Sequence, residues 1–540
     1  MVPPSMNHLY TGSSRQRFIY RCTVATLLCL ICAPDALGFE IDTGSELKLR
    51  WDTTVKYSAA WRLKGRSASL VADANSDDGD RNFKRGVISN RGDLLSELDL
   101  GFRDVGARFS GAAWYDTVYN GSNDNDAPGT ANAFSVPHDR FTGATERLHG
   151  RQAELLDAFV FANGQLGSMP ASIRVGRHTV LWGESLLLAT NGISYAQAPL
   201  DFIKASSVPG TQAKELFMPV GQISCQLRPT TVVSFAAYYQ FEWRKSRLPA
   251  VGSYFSSADL LDEGGERLFI APPAAFFRGR DDDARNFGQW GVSARYRVES
   301  LDTDFGLYYL RFHEKLPQLY LRPGAGADAF LGNIGEYSLA YPQDIWLVGT
   351  SFATTVAEVG LAGEVHMRFD TPLASTPQTV APGLAADNGE HLLYAIGNTV
   401  HAQVSATYIL PSWVVWDSAT ALGEIGWQHL TEITRNPEAF DGSRRRDAWG
   451  FQTLFTPTYF QVLPDLDINL PIAFGYTPQG KSPLPVFNGP HKGGTVSLGV
   501  SAQYRTVWYA SLQFTHFYGP AAYQTLKDRD FLSLSLQRTF

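Results

Sequence analysis

The chain is 540 residues long, 18% charged and 13% aromatic, with 49 glycines and a formal charge of −7. Such acidity argues against a nucleic-acid partner. Beyond the N-terminal region, no run approaches the ~18 consecutive apolar residues of a membrane helix.

The N-terminal region has the parts of a secretory signal peptide. Arg15, Arg17 and Arg21 are basic, Val24–Ala33 is apolar, and Ala36 and Gly38 place small residues at the −3 and −1 positions. Residues 1–38 are expected to be removed by cleavage after Gly38; the alternative is a buried N-terminal helix. Cleavage removes three Arg and one Asp and shifts the charge from −7 to −9. It also removes Cys22, Cys29 and Cys32, so Cys225 is left with no intrachain disulfide partner. A secreted chain of this size without disulfides needs another source of stability, and barrel closure is one.

The mature chain, 39–540, reads as one domain. Asp73, Asn75, Asp77, Gly79 and Asp80 resemble a calcium loop, but the glycine is one position late and Lys84 stands where a bidentate Glu belongs. The sequence reads there as an acidic external loop, and no metal set is assigned. Next, Arg91, Asp93, Glu97, Asp99 and Arg103 alternate with Leu94, Leu98, Leu100 and Phe102. An Arg or Lys facing lipid near midplane costs about 2–4 kcal/mol, so these charges are expected to line a lumen.

Glu184–Val220 has no strand pattern. It is too long for a hairpin loop and too apolar for a solvated one, and loops of this kind are usually functional. Folded inward, it would bury Leu186, Leu187, Leu188, Ile193, Phe202 and Phe217 and narrow the pore. Trp182, Tyr195, Phe202 and Phe217 are then expected to supply apolar contact. Asp201, Lys204, Lys214 and Glu215 are expected to hold the segment to wall charges, with Glu184 and Asn191 completing the constriction. The alternative is an external cap on neighbouring loops.

Further strands follow. In Gln289–Glu299, Trp290, Val292, Ala294, Tyr296 and Val298 share a face opposite Ser293, Arg295, Arg297 and Glu299. In Ala357–Phe369, Val359, Leu361, Val365, Met367 and Phe369 oppose Glu358, Glu364, His366 and Arg368. In Thr495–Arg505, apolar and polar residues again alternate. Each is a strand pattern, and the polar members are lumen candidates. A soluble sandwich or propeller also alternates. Strand lengths near ten residues and the connection pattern favour a membrane barrel. The chain ends on Leu532, Leu534 and Leu536 alternating with Ser533, Ser535 and Gln537, then Phe540. This looks like the C-terminal signal read by the outer-membrane barrel-assembly machinery, except that Arg538 stands where an apolar residue is usual.

Tight connections fall near Arg103–Gly106, Asn163–Pro170, Arg228–Thr231, Glu299–Thr303, Thr354–Ala357, Pro411–Val414, Thr456–Gln461 and Arg505–Val507. Long ones fall near Leu63–Arg85, Asn120–Gly150, Glu184–Val220, Lys245–Phe287, Lys315–Ala340, Asp370–Glu390, Thr431–Arg446, Thr477–Gly494 and Gly519–Lys527. Eight short and nine long connections make an all-β, antiparallel transmembrane barrel of 18 strands, with 16 as the alternative. Both termini fall on the short-turn side.

Asp77–Phe83, Leu94–Asp99, Val175–Ser185, Asn191–Ser194 and Lys214–Val220 resemble a family of large proteobacterial outer-membrane proteins, the domain-of-unknown-function family DUF1302. The resemblance runs over nearly the whole mature chain, and Trp182–Ser185 and Lys214–Val220 are its distinctive parts. It implies an outer-membrane barrel that handles hydrophobic compounds and associates with periplasmic or exporter-type partners. It brings no catalytic residues.

An enzyme needs a nucleophile beside an oriented base. His178, His313, His366, His401 and His429 offer bases, but no Gly-x-Ser-x-Gly elbow or His-Glu-x-x-His pair accompanies them. Gly324-Ala-Gly326 mimics a dinucleotide fingerprint without its βαβ setting. No catalytic residue and no cofactor is expected. The expected function is an outer-membrane channel of a Gram-negative bacterium for a hydrophobic or amphipathic small molecule. The alternatives are a barrel that docks a periplasmic or surface partner, and a lipid hydrolase.

Overall fold

In the long strands, the side chains that alternate into solvent are the apolar ones. Val292, Leu307, Val348, Val365, Val404, Ile425, Leu498 and Leu512 are exposed, while their polar neighbours Ser293, Ser351, Glu364, His366, Gln403, Ser497 and Thr515 are buried. This inverts the pattern of a soluble sheet and matches a barrel whose outer face meets lipid. The structure, a computed structural model, describes residues 39–42, 46–207, 216–487 and 489–540. The expected signal peptide, 1–38, lies outside them.

Eighteen antiparallel strands form one ring. They are β1 Leu47–Arg62, β2 Gly86–Phe102, β3 Val105–Asp116, β4 Arg151–Leu166, β5 Met169–His178 and β6 Val220–Leu227. Then come β7 Val233–Gln240, β8 Gln289–Val298, β9 Thr303–Phe312, β10 Ile345–Val356, β11 Val359–Pro372 and β12 Ile396–Leu410. The last are β13 Ser418–Arg435, β14 Asp447–Leu463, β15 Leu466–Asn469 with Ile472–Gln479, β16 Gly493–Tyr504, β17 Trp508–Tyr518 and β18 Phe531–Thr539. Each strand pairs with its sequence neighbour, and β18 pairs with β1 to close the ring. The sheet therefore has no free edge to aggregate. Phe39–Asp42 pairs with Lys48–Trp51 of β1, continuing the line of β18.

The ring has 18 strands, not 16. Short turns and long loops alternate as the sequence predicts, with two shifts. The turn expected at Thr456–Gln461 falls instead at Pro464-Asp465, because β14 continues to Leu463. The loop expected from Thr431 begins after Arg435. The tight turns take the left-handed backbone that suits twisted hairpins: Ala357 and Glu358 have φ of 48° and 70°. Glu358 is thus an exposed turn residue rather than part of the lumen wall. β11 begins at Val359, two residues later than the expected strand Ala357–Phe369. Arg103 likewise sits in a turn, at φ 52°, paired with Glu46.

At the seam, Thr53 and Phe540 exchange two backbone hydrogen bonds of 3.2 and 2.8 Å. Arg538 is 4% exposed, its guanidinium 5.0 Å from the Trp508 ring centre and 4.5 Å from that of Phe540. Two aromatic faces thus screen a charge that would otherwise meet lipid.

The long loops build a second layer. Arg267–Ala271, Ala274–Arg278, Gln318–Asp328, Asn333–Ala340 and Gln378–Thr379 form a five-stranded sheet. Beside it, Phe83, Tyr119, Phe141 and Tyr254 pack with Ile88, Phe517 and Phe531 at the strand ends.

Candidate functional site: the segment folded into the barrel

The chain leaves β5 at His178 and enters β6 at Val220, and much of the stretch between lies inside the ring. The reason is legible in its residues. Leu188, Ile193, Tyr195, Ala196 and Leu200 are almost fully buried. Ile193, Tyr195, Ala196 and Leu200 pack with Tyr238 of β7, Tyr308, Leu310 and Phe312 of β9, and Ile345 and Leu347 of β10. Such a segment is too apolar to remain in water.

Burial leaves backbone N–H groups that need acceptors, and two wall carboxylates provide them. Glu364 of β11 accepts from Glu184 N–H at 2.6 Å and Ile193 N–H at 2.7 Å. Glu424 of β13 accepts from Leu187 at 2.5 Å, Leu188 at 2.8 Å and Leu186 at 3.2 Å. The segment thus starts at β5 and reaches β13, eight strands around a ring of eighteen. It crosses the lumen and returns. Its return limb is tied by Arg247, which bonds Asp201 at 2.9 Å and also Glu154 of β4.

Asn191 sits at the far wall. Its amide donates to Ala402 O at 3.1 Å and Gln403 Oε1 at 3.2 Å, and its oxygen meets His401 Nδ1 at 3.0 Å. His401 stacks on His366, ring centres 4.7 Å apart, and Arg368 reaches Gly192 O at 3.1 Å. Trp182 packs on Tyr238 at 5.1 Å, and its N–H is accepted by Gln197 at 2.5 Å. The Tyr195 hydroxyl donates to Glu314, and Arg368 stacks over its ring at 4.9 Å. Phe217 pairs with Leu200 inside the same apolar cluster.

Gly183 enforces a close approach. It has φ +91°, and an added Cβ would overlap Glu364 Oε2 and lie 3.1 Å from Ile193 Cβ. Gly183→Ala is expected to loosen the segment by about 1–3 kcal/mol. Limited proteolysis of the folded barrel should then cut within 186–200 faster than in the wild type.

Beside the segment, a cavity of about 490 Å³ remains against β14–β17. Leu187, Leu188, Leu200, Phe202 and Leu216 form one side, Gln452, Thr477 and Thr495 stand on the other, and Phe255, Phe487 and Phe517 lie among its walls. The arrangement offers apolar surface with a few neutral hydrogen-bonding groups and the Asp201 carboxylate. A ligand pocket commonly has this composition and volume.

The family's sequence profile, described as "Protein of unknown function (DUF1302)", matches residues 19–540. The chain belongs to the DUF1302 family. No curated protein matches it. Among solved structures, this family member is similar to OccAB1 of Acinetobacter baumannii at 12% identity and TM-score 0.43, over 94% of this chain and 98% of that one. OpdK of Pseudomonas aeruginosa with vanillate aligns at 10% identity and TM-score 0.39, over 91% and 98% of the two chains. The outer membrane channel DcaP of A. baumannii aligns at 10% identity and TM-score 0.40, over 94% and 100%.

The remaining sequence-predicted residues of this DUF1302 chain are placed as follows. Arg91 pairs with Asp93 at 2.6 Å and lies over Trp114, and Arg108 bridges Glu97 and Asp99. Arg295 reaches the segment through Glu184 at 2.8 Å. Arg297 pairs with Asp302 and Asp304 at the turn end of β8 and does not touch the segment. Lys204 lies exposed on the short helix Phe202–Ser207 and makes no ion pair among the described residues, so it does not anchor the segment to the wall. Its position follows from Asp201, which caps that helix through Lys204 N–H at 3.1 Å and turns the side chain outward. Lys214 and Glu215 lie outside the described residues.

Glu424, Glu314, Arg247 and Gln197 were not singled out from the sequence. Glu424 had a signal: it is the one charge among Thr420, Leu422, Gly426 and Gln428 on the inward face of β13. His178 does meet a hydroxyl, with Nε2 at 2.7 Å from Ser224 Oγ and Nδ1 on Gly176 O at 3.0 Å. Ser224 sits in β6, paired on both sides with β5 and β7. Its neighbouring backbone groups are engaged in the ladder on both sides.

Proposed function

We propose that the protein is an outer-membrane channel of a Gram-negative bacterium, and that the segment from Glu184 to Val220 sets what passes. One observation carries this reading. A mostly apolar segment crosses the lumen on two carboxylate anchors, Glu364 and Glu424, and leaves an amphipathic cavity of about 490 Å³ beside it. An 18-stranded cylinder is wide enough for an aqueous pore unless something fills it. Trp182, Asn191, Tyr195 and Phe217 form the obstruction, Asp201 ties it down, and Phe202 faces the cavity.

The passenger is a hydrophobic or amphipathic small molecule. The cavity presents leucine and phenylalanine together with Gln452, Thr477 and Thr495, and Asp201 is already paired with Arg247. A strongly charged solute would lose hydration there without a free counter-charge. Lipid covers the outer apolar belt, the assembly machinery reads the strand ending at Phe540, and a periplasmic or exporter-type partner meets the short-turn side.

Deleting Asn191–Lys204 tests the reading. Conductance in planar bilayers should rise at least about threefold as the lumen clears. Unchanged conductance of a folded deletion variant would refute the obstruction. Knockout cells should lose growth on some hydrophobic carbon sources while growing normally on small sugars.

A further inference from the structure

Two external loops meet at three acidic residues. Asp77 and Asp78 lie in the loop after β1, and Asp259 lies in the loop after β7. One carboxylate oxygen from each lies within 4.8 Å of the others. The residues are 3%, 2% and 0% exposed.

Their hydrogen bonds leave a particular deficit. Asp78 is satisfied by Asn132 at 2.6 Å, Asn125 at 3.2 Å and the Thr130 hydroxyl. Asp259 Oδ2 accepts the Asp78 N–H at 3.0 Å, and Asp77 Oδ2 accepts from Arg81. Asp77 Oδ1 and Asp259 Oδ1 are shut off from solvent and have no donor. In the same loop as Asp259, Ser253 packs its carbonyl against Gly79 and holds a buried hydroxyl that also lacks a partner. Arg81 is the only cation in direct ion contact with the trio among the described residues. Three buried carboxylates with one direct counter-charge and two idle oxygens need positive charge from elsewhere.

We propose that Asp77, Asp78 and Asp259 hold a divalent cation, of the calcium class, that clasps the first external loop to the fourth. All the donors are oxygens, and they come from two separate loops rather than one preset ring. Calcium accepts such sets, whereas magnesium demands near-ideal geometry. Asn75, a ligand in a contiguous calcium loop, is used differently here. Its amide clamps Phe269 through bonds of 2.9 and 2.8 Å. The cation site is therefore assembled across loops, not along one. Filled, it would fix the layer above the lumen.

The test uses the mature protein folded in detergent, stripped with EDTA and then titrated with calcium chloride or magnesium chloride. Calorimetry should record one calcium per chain, and proteolysis of the two loops should slow by roughly tenfold. Asp259→Asn and Asp77→Asn, checked for folding by heat-modifiable migration, should lose both effects. Three results overturn the proposal. The wild type may take up no calcium at millimolar concentration and show unchanged cleavage, in which case the carboxylates carry protons instead. Folded Asp259→Asn may bind as well as wild type. Magnesium may bind in preference to calcium. If neither variant folds, the wild-type titration decides.

Discussion

Glu424→Ala should make the proposed channel flicker to a wider state. The substitution strands the N–H groups of Leu186, Leu187 and Leu188, which one carboxylate satisfies at 2.5 to 3.2 Å. A buried donor without an acceptor costs about 1–3 kcal/mol, and water entering the vacated space recovers part of that. The net loss of anchoring should be about 3–5 kcal/mol, which moves the closed–open balance by roughly 10²–10⁴-fold. Single-channel recordings should show brief large openings that the wild type lacks. Glu424→Gln keeps one acceptor and should open less often. Adding Glu364→Ala should lengthen the open events, because that carboxylate holds the same segment through Glu184 and Ile193. Silent traces from both single variants and the double variant would mean that the segment is held by its apolar packing alone.

Arg62→Ala should cost more stability than any other single exchange considered. Arg62 is 2% exposed at the end of β1. It bonds Asp80 Oδ1 at 2.5 Å, Asp80 O at 3.0 Å, Phe83 O at 2.7 Å and Asp528 O at 3.2 Å. Removing one partner of a buried ion pair costs about 3–5 kcal/mol, because the other charge remains buried. Heat-modifiable migration should report a lower unfolding temperature. Burial, and then the Asp80 charge, already push the Asp528 carboxyl up to about 6. A raised carboxylate value penalises the folded state above that pH, and the penalty fades as pH falls from about 6 toward 4. Without Arg62 the penalty grows, so the deficit should shrink on going from pH 7.5 to pH 5. An equal deficit at both would show that charge is not the cause.

The wall was legible in the sequence because its physics is local. Alternation with period two needs only neighbours, and Val292 with Ser293 or Val365 with Glu364 declares its faces without reference to the rest of the chain. Turns were legible wherever glycine, proline or a polar pair broke that alternation. They misled at Thr456–Gln461, where Pro457 lies within β14 opposite a broken stretch of β15 and ends nothing. Glu358 failed for a similar reason: alternation does not say where a two-residue turn begins. The odd composition of Glu184–Val220 was visible, but its anchors were not. Glu364 and Glu424 lie 180 and 238 residues from the groups they hold. A single sequence carries no trace of such pairings, and Lys204 was assigned to the wall for want of one.

The clasp around Arg62 has a consequence for how the molecule is made. It joins residues 18 and 466 positions apart, directly above the place where the first and last strands meet. During biogenesis, a nascent cylinder lacking its final hairpin has neither the joint nor the pin that locks it. Commitment to the finished shape must therefore await β18, and a product truncated before Asp528 should be recognisable to quality-control proteases by its unpinned rim.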